Sequence, residues 1–273
     1  MTLFNLLLVA LIQGITEFLP ISSSGHLILL PNLAGLEDQG LVIDVAVHVG
    51  TLGAVLLYFW RDVRLGLSGI PRLLTGRIDT PGARLAFLLV IATVPVLVAG
   101  LALHLSGLAE ALRSVTVIGW TMLVFGLVLY WADQRGGQEK RDGDWTLRDA
   151  LVMGLWQAVA LIPGTSRSGI TITAGRLLGY DRESAARLAM LMSIPTILAS
   201  GVLLGADVAA SADAGAARDG AIAAAMAFVA ALGALALMMR LLRSVSFTPY
   251  VIYRVILGIV LLWLGYSGAL TTA

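Results

Sequence analysis

The sequence contains no cysteine, which excludes disulfides and thiolate metal sites. Charge is scarce too: 13% of the 273 residues are Asp, Glu, Lys or Arg, against roughly a quarter in soluble domains. A net charge of +1 leaves no basic footprint for nucleic acid. Histidine occurs three times, and no His-Glu-x-x-His run is present, which disfavours a metalloprotease. The opening MTLFNLLLVAL has neither a basic leader nor a small-residue cleavage site, and it reads as mature structure. In place of charge there is hydrocarbon, 58% of residues, with a mean hydropathy of +0.91. The chain reads as an all-α polytopic membrane protein whose solvent is the lipid bilayer.

A bilayer core of about 30 Å needs about 20 apolar helical residues. Six segments reach that length: 41–60, 83–104, 114–132, 184–206, 219–239 and 248–268. Two further regions are apolar but interrupted. Residues 3–19 run into PISSSG and then a short apolar arm; residues 147–163 run into PGTSRSG and another short arm. An arm of about 11 residues covers only about 17 Å, half a membrane. Each pair is therefore expected to form a re-entrant hairpin, over about 3–36 and about 147–179. Broken backbone at that depth is tolerated only where protein or water satisfies it.

With hairpins that return to the side they entered, one face collects the loops 61–84, 133–148, 180–187 and 240–247. These hold thirteen basic residues, and the opposite face holds only Arg113 and Arg218. By the positive-inside rule the first face is cytoplasmic and both termini lie outside. The two hairpins then enter from opposite leaflets, each followed by three spans. This makes one membrane domain, 1–273, built from halves of about 1–133 and 144–273 in inverted topology. QGITEFLPISSSG and QAVALIPGTSRSG echo each other across the halves. Such repeats bring their polar breaks together near the midplane.

The chemistry gathered at those breaks is uneven. Gln13 and Glu17 share one face of the first arm. Ser22, Ser23, Ser24 and His26 follow the first break, and Gly164, Thr165, Ser166, Arg167 and Ser168 form the second. Arg167 presents a planar fork suited to phosphate. Hydroxyls, glycine-exposed amides and a half-helix N-terminus make an anion seat. Glu17, with Gln13, could hold Mg²⁺ or Ca²⁺, which prefer oxygen ligands and, for Mg²⁺, bridge carboxylate to phosphate. His26 and a serine supply a nucleophile and a proton carrier. These residues suit phosphoryl transfer on a lipid-borne phosphate. They equally suit transport of the same anion by a carrier or flippase.

QGITEFLPISSSGHL and PGTSRSGITI resemble the two signature motifs of the undecaprenyl-diphosphate phosphatase family, also called the bacitracin resistance protein family. The likeness covers the whole chain in hydropathy and motif spacing. It implies an enzyme of the bacterial inner membrane that hydrolyses undecaprenyl diphosphate to undecaprenyl phosphate and inorganic phosphate. That reaction recycles the carrier lipid of peptidoglycan synthesis, at a site open to the outer face. By the same resemblance Gln13 and Glu17 match the family's Glu/Gln-x-x-x-Glu element. His26 matches the catalytic histidine, Ser23 a proposed nucleophile and Arg167 the phosphate-binding arginine. Gln at position 13 leaves Glu17 as the principal metal or base candidate. The resemblance does not decide between His26 and Ser23 as nucleophile, nor between a single chain and a homo-oligomer.

Bland readings weigh against the rest. Asp44 and His48 lie four residues apart on the first full span and are expected to pair with each other rather than rim the pocket. Arg176 and Arg254 lie toward span ends and are expected to snorkel. Serines at breaks also cap helices, so Ser22 and Ser24 are as readily caps as substrate contacts.

Overall fold

The computed structural model describes residues 1–34, 39–108, 110–211 and 214–267, and among them the chain is helical without strands. Among the described residues six helices are long and apolar enough to cross a membrane: α3 (Gly40–Tyr58), α5 (Pro81–Ser106), α6 (Val115–Arg135), α9 (its Arg182–Gly205 stretch), α10 (Ala214–Leu241) and α11 (Thr248–Tyr266). They coincide with the six segments expected from hydropathy, and the protein is a multi-pass membrane protein. Their outward faces carry exposed Val98, Leu101, Ile252 and Ile256. In water that surface would drive association; in hydrocarbon it costs nothing.

Both interrupted regions are helix–break–helix. α1 (Leu3–Thr16) and α2 (Ser23–Ala34) flank the first break, and α7 (Leu147–Val159) and α8 (Arg167–Leu177) the second. None exceeds 14 residues, about 21 Å, so no arm spans a bilayer alone. Residues 35–36 of the first expected hairpin lie outside the described residues.

Packing is reciprocal between the halves. α1 lies on α10, and α7 lies on α5; α3 meets α9, and α6 meets α11. Small residues set the spacing. A Cβ at Gly14 of α1 would sit 2.6 Å from Ala230 Cβ, and one at Gly154 of α7 would sit 2.5 Å from the Ala92 carbonyl oxygen. Backbones this close are how helices associate where no hydrophobic driving force remains.

Two expectations fail. Residues 61–84 are not simply loop: α4 (Trp60–Leu74) occupies most of that stretch and packs on α5. Nor do Arg176 and Arg254 snorkel, because both are fully buried. Arg176 reaches Asp133 Oδ1 at 3.2 Å and donates to the carbonyls of Asp133, Gly136, Gly137 and Tyr180. It closes the C-terminal ends of α6 and α8 at the arginine-rich side of the bundle. Further ion pairs tie the same side together: Arg182–Asp133 (2.8 Å), Arg187–Asp62 (2.6 Å), Lys140–Asp149 (3.1 Å) and Arg141–Asp181.

Candidate active site

The two breaks meet. Ser22 and Ser166 precede α2 and α8, and each side-chain oxygen accepts the N–H of the glycine three residues on, Gly25 at 3.3 Å and Gly169 at 3.1 Å. The amides of Ser23, Ser24, Arg167 and Ser168, in the first turns of those helices, have no backbone partner among the described residues. Ser168 Oγ donates to the Leu19 carbonyl at 2.9 Å, stitching the second tip to the first. Gly164 is a packing requirement: its φ is +84°, and a Cβ there would strike Thr121 Oγ1 and the Ile118 carbonyl.

Glu17 stands at the junction with 8% of its surface exposed. Its Oε1 accepts from Arg167 Nη2 at 2.6 Å, and its Oε2 from Ser23 Oγ at 2.5 Å and Gln13 Nε2 at 3.0 Å. One carboxylate therefore joins the first arm, the first tip and the second tip. Two atoms of this set are buried without a hydrogen-bond partner among the described residues, Arg167 Nη1 and Gln13 Oε1. An unused guanidinium donor and an unused amide oxygen are costly to bury, and both suit a phosphate-and-cation ligand. Thr165 Oγ1 is buried unpartnered as well.

A cavity of about 810 Å³ opens onto the cluster. Its polar end carries Glu17, Ser22, Ser23, Ser24, Ser166 and Arg167, and its walls include Leu27, Ile28, Val49, Leu52, Leu161 and Ile197. Gly164, Thr165 and Ser168 do not line it and instead hold the tips. His26 is not a wall residue either. Its Nδ1 meets the Ser22 carbonyl at 2.6 Å, so Nδ1 carries the proton, and Nε2 takes the Tyr253 hydroxyl at 2.5 Å. The imidazole also stacks on the Tyr253 ring, with centroids 5.6 Å apart.

His48 takes a different place from the one expected. Its Nδ1 is anchored on the backbone carbonyl of Asp44, at 2.7 Å, rather than on the carboxylate. Its Nε2 lies 3.9 Å from Glu17 Oε2, and both Asp44 and His48 line the cavity. The helical i, i+4 spacing that suggested a mutual pair also permits a side chain to bond the backbone one turn back.

Arg254 is the residue that sequence reasoning misplaced most. It donates to five carbonyls: Pro20 at 3.3 Å, Thr121 at 3.3 Å, Met122 at 3.2 Å, Gly164 at 3.2 Å and Thr165 at 2.9 Å. Breaking a helix frees carbonyls that hydrocarbon cannot satisfy. One guanidinium, with five N–H donors in a fixed fork, supplies both tips at once. A basic residue in an otherwise apolar final span was the available signal.

The family model described as "Bacitracin resistance protein BacA" matches residues 6–260. The chain belongs to the BacA family. Among its relatives, an undecaprenyl-diphosphatase of Jannaschia sp. (strain CCS1) is 76% identical over 98% of this chain and 100% of its own length. One of Ruegeria pomeroyi is also 76% identical over the same shares. At greater distance, undecaprenyl-diphosphatase 1 of Rhodospirillum rubrum is 49% identical over 98% of this chain and 97% of its own.

Proposed function

We propose that this BacA-family protein is a membrane phosphatase that hydrolyses undecaprenyl diphosphate to undecaprenyl phosphate and inorganic phosphate. By returning the carrier lipid to peptidoglycan synthesis it confers bacitracin resistance. The observation that carries this reading is the Ser23–Glu17–Arg167 cluster, placed where two half-helix N-termini meet at the polar end of an apolar cavity. Amides and arginine suit the diphosphate, and the apolar walls suit the polyprenyl chain.

Ser23 Oγ attacks the terminal phosphorus as its proton passes to Glu17 Oε2. The bond to the bridging oxygen breaks, and undecaprenyl phosphate leaves as its anion. Arg167 and the amides at the starts of α2 and α8 hold the equatorial oxygens, where charge spreads in the transition state. Water then cleaves the phosphoserine, and Glu17 returns its proton to the serine oxygen. His26 acts from behind the tip, holding the Ser22 carbonyl.

Glu17 and Arg167 cancel each other's charge, so the head group's negative charge calls for a further cation. Among the described residues no three acidic or histidine side chains gather to cage a metal. A divalent cation, Mg²⁺ or Ca²⁺, would rest on Glu17 and the unpartnered Gln13 Oε1, with other oxygens from substrate and water. Bound there, it would supply charge neutralisation at the phosphoryl oxygens.

The reciprocal packing of α1 on α10 and α7 on α5 supports an inverted repeat of the halves 1–133 and 144–273. With the arginine-rich loops cytoplasmic, the cavity faces the outer side of the bacterial inner membrane, and both termini lie outside. The decisive experiment is phosphate release from purified protein given undecaprenyl diphosphate. Arg167→Ala should lower the rate at least about 100-fold while leaving helix content and elution unchanged. Folded wild-type protein that releases no phosphate yet moves the lipid phosphate across a bilayer would replace hydrolysis with transport.

A further inference from the structure

Helix α4 begins two residues after α3 ends, at the arginine-rich end of a membrane span, and its surface divides into three arcs at 100° per residue. The first faces α5. Gly69 is pressed against the backbone of Gly82 and Ala83 so closely that a Cβ would collide, and Gly66 lies under Leu85. The second is apolar and uncovered: Trp60 (55% exposed), Leu67, Ile70 and Leu74 (82% exposed). The third is cationic, with Arg61, Arg64 and Arg72 all exposed. Arg61 and Arg64, with Arg77 just beyond the helix, have no ion-pair partner among the described residues, whereas Arg72 shares its charge with Asp79 at 2.8 Å. The helix's one acid, Asp62, is turned inward to Arg187 of α9 at 2.6 Å. The outward arcs therefore combine bare hydrocarbon with unneutralised positive charge, and the apolar arc continues from exposed Leu57 and Tyr58 of α3.

We infer that α4 is an interfacial helix whose partner is the acidic-lipid headgroup layer of the adjoining leaflet. Trp60, Leu67, Ile70 and Leu74 sit at the acyl boundary, and Arg61, Arg64 and Arg77 bind lipid phosphates. An apolar face beside an arginine-rich face is the pattern of a helix lying in the membrane plane. Cationic side chains at that depth are held by anionic lipids. A water-filled surroundings would leave four large apolar side chains solvated beside a span already in lipid. The surface is separate from the cavity and does not depend on the reaction assigned to it.

Absence of cysteine makes the test direct, because Leu67→Cys or Ser68→Cys gives the full chain a single site for a nitroxide. In proteoliposomes of mixed phosphatidylcholine and phosphatidylglycerol, the label at 67 should collide with oxygen in preference to an aqueous nickel chelate. The label at 68, on the cationic arc, should show the reverse. Equal chelate access at both positions would put the helix in water and overturn the proposal. Protection of position 67 from both reagents would mean that protein covers it, which overturns the lipid partner as well. Separately, the Arg61→Gln/Arg64→Gln/Arg77→Gln variant should lose about threefold or more of the wild type's preference for spin-labelled phosphatidylglycerol over phosphatidylcholine, with phosphate release in detergent retained. An unchanged preference would refute the headgroup contact, and the label measurements stand whether or not this variant purifies.

Discussion

Ser22 and Ser166 share a positive φ, +72° in both, 144 positions apart. Each uses its hydroxyl to cap the half-helix that follows it. Positive φ is costly for a residue with a Cβ, and here the cost places an N-terminal turn of free amides at the cavity. For Ser166 the two contributions separate. Ser166→Ala keeps the strain and loses the cap, costing about 1 kcal/mol or somewhat more. Ser166→Gly loses the same cap but accepts the conformation freely, so it should unfold at a higher temperature than the alanine variant. Thermal unfolding in detergent ranks the two.

Glu17 links catalysis with stability. Glu17→Gln removes the proton acceptor for Ser23 and leaves the largely buried guanidinium of Arg167, 14% exposed, without its counter-ion. Turnover should fall at least about 100-fold, and stability by about 3–5 kcal/mol. Ser23→Ala leaves the Glu17–Arg167 pair in place, so it should stay near wild type in stability while losing turnover. Acid-quenched wild type given substrate should carry phosphate on Ser23, detected by mass spectrometry. Turnover that survives in Ser23→Ala would assign the attack to a water held by Glu17.

Among the described residues Arg254 has no carboxylate partner, and its hydrogen bonds all go to carbonyl dipoles. Arg254→Met strands carbonyls of both tips, and the loss should reach at least about 3 kcal/mol. Arg254→Lys keeps the charge but lacks the fork, so its melting temperature should fall between the two. A melt of Arg254→Met within a degree or so of wild type would show that the tips satisfy themselves.

At the arginine-rich end, Tyr180 is fully buried and donates to Asp149 Oδ2 at 2.7 Å beneath Lys140. Burial, and then the Asp149 carboxylate, push the phenol well above its ordinary value of about 10. A group whose folded pKa is raised stabilises fully below its unfolded value and loses that contribution as pH climbs past it. Stability should therefore decline from about pH 10 upward. Tyr180→Phe should cost about 1–3 kcal/mol at neutral pH by removing a donor from buried Asp149, and its alkaline decline should be shallower than that of the wild type. Chemical denaturation across pH checks both.

Membrane residence, the six spans and the position of both breaks were legible along the chain, because transfer into lipid is summed over local windows of about 20 residues. Pro20, Pro163 and their serine and glycine neighbours mark the interruptions without reference to anything distant. Helix α4 escaped because its apolar and basic residues cancel in such a window and separate only around the helix. The fates of the arginines and histidines were not local at all. Arg254 finds its carbonyls up to 234 positions away, and His26 finds Tyr253 at a separation of 227. Hydropathy is a property of a segment, whereas satisfying a buried donor is a property of a pair, and only the tertiary fold chooses the pair.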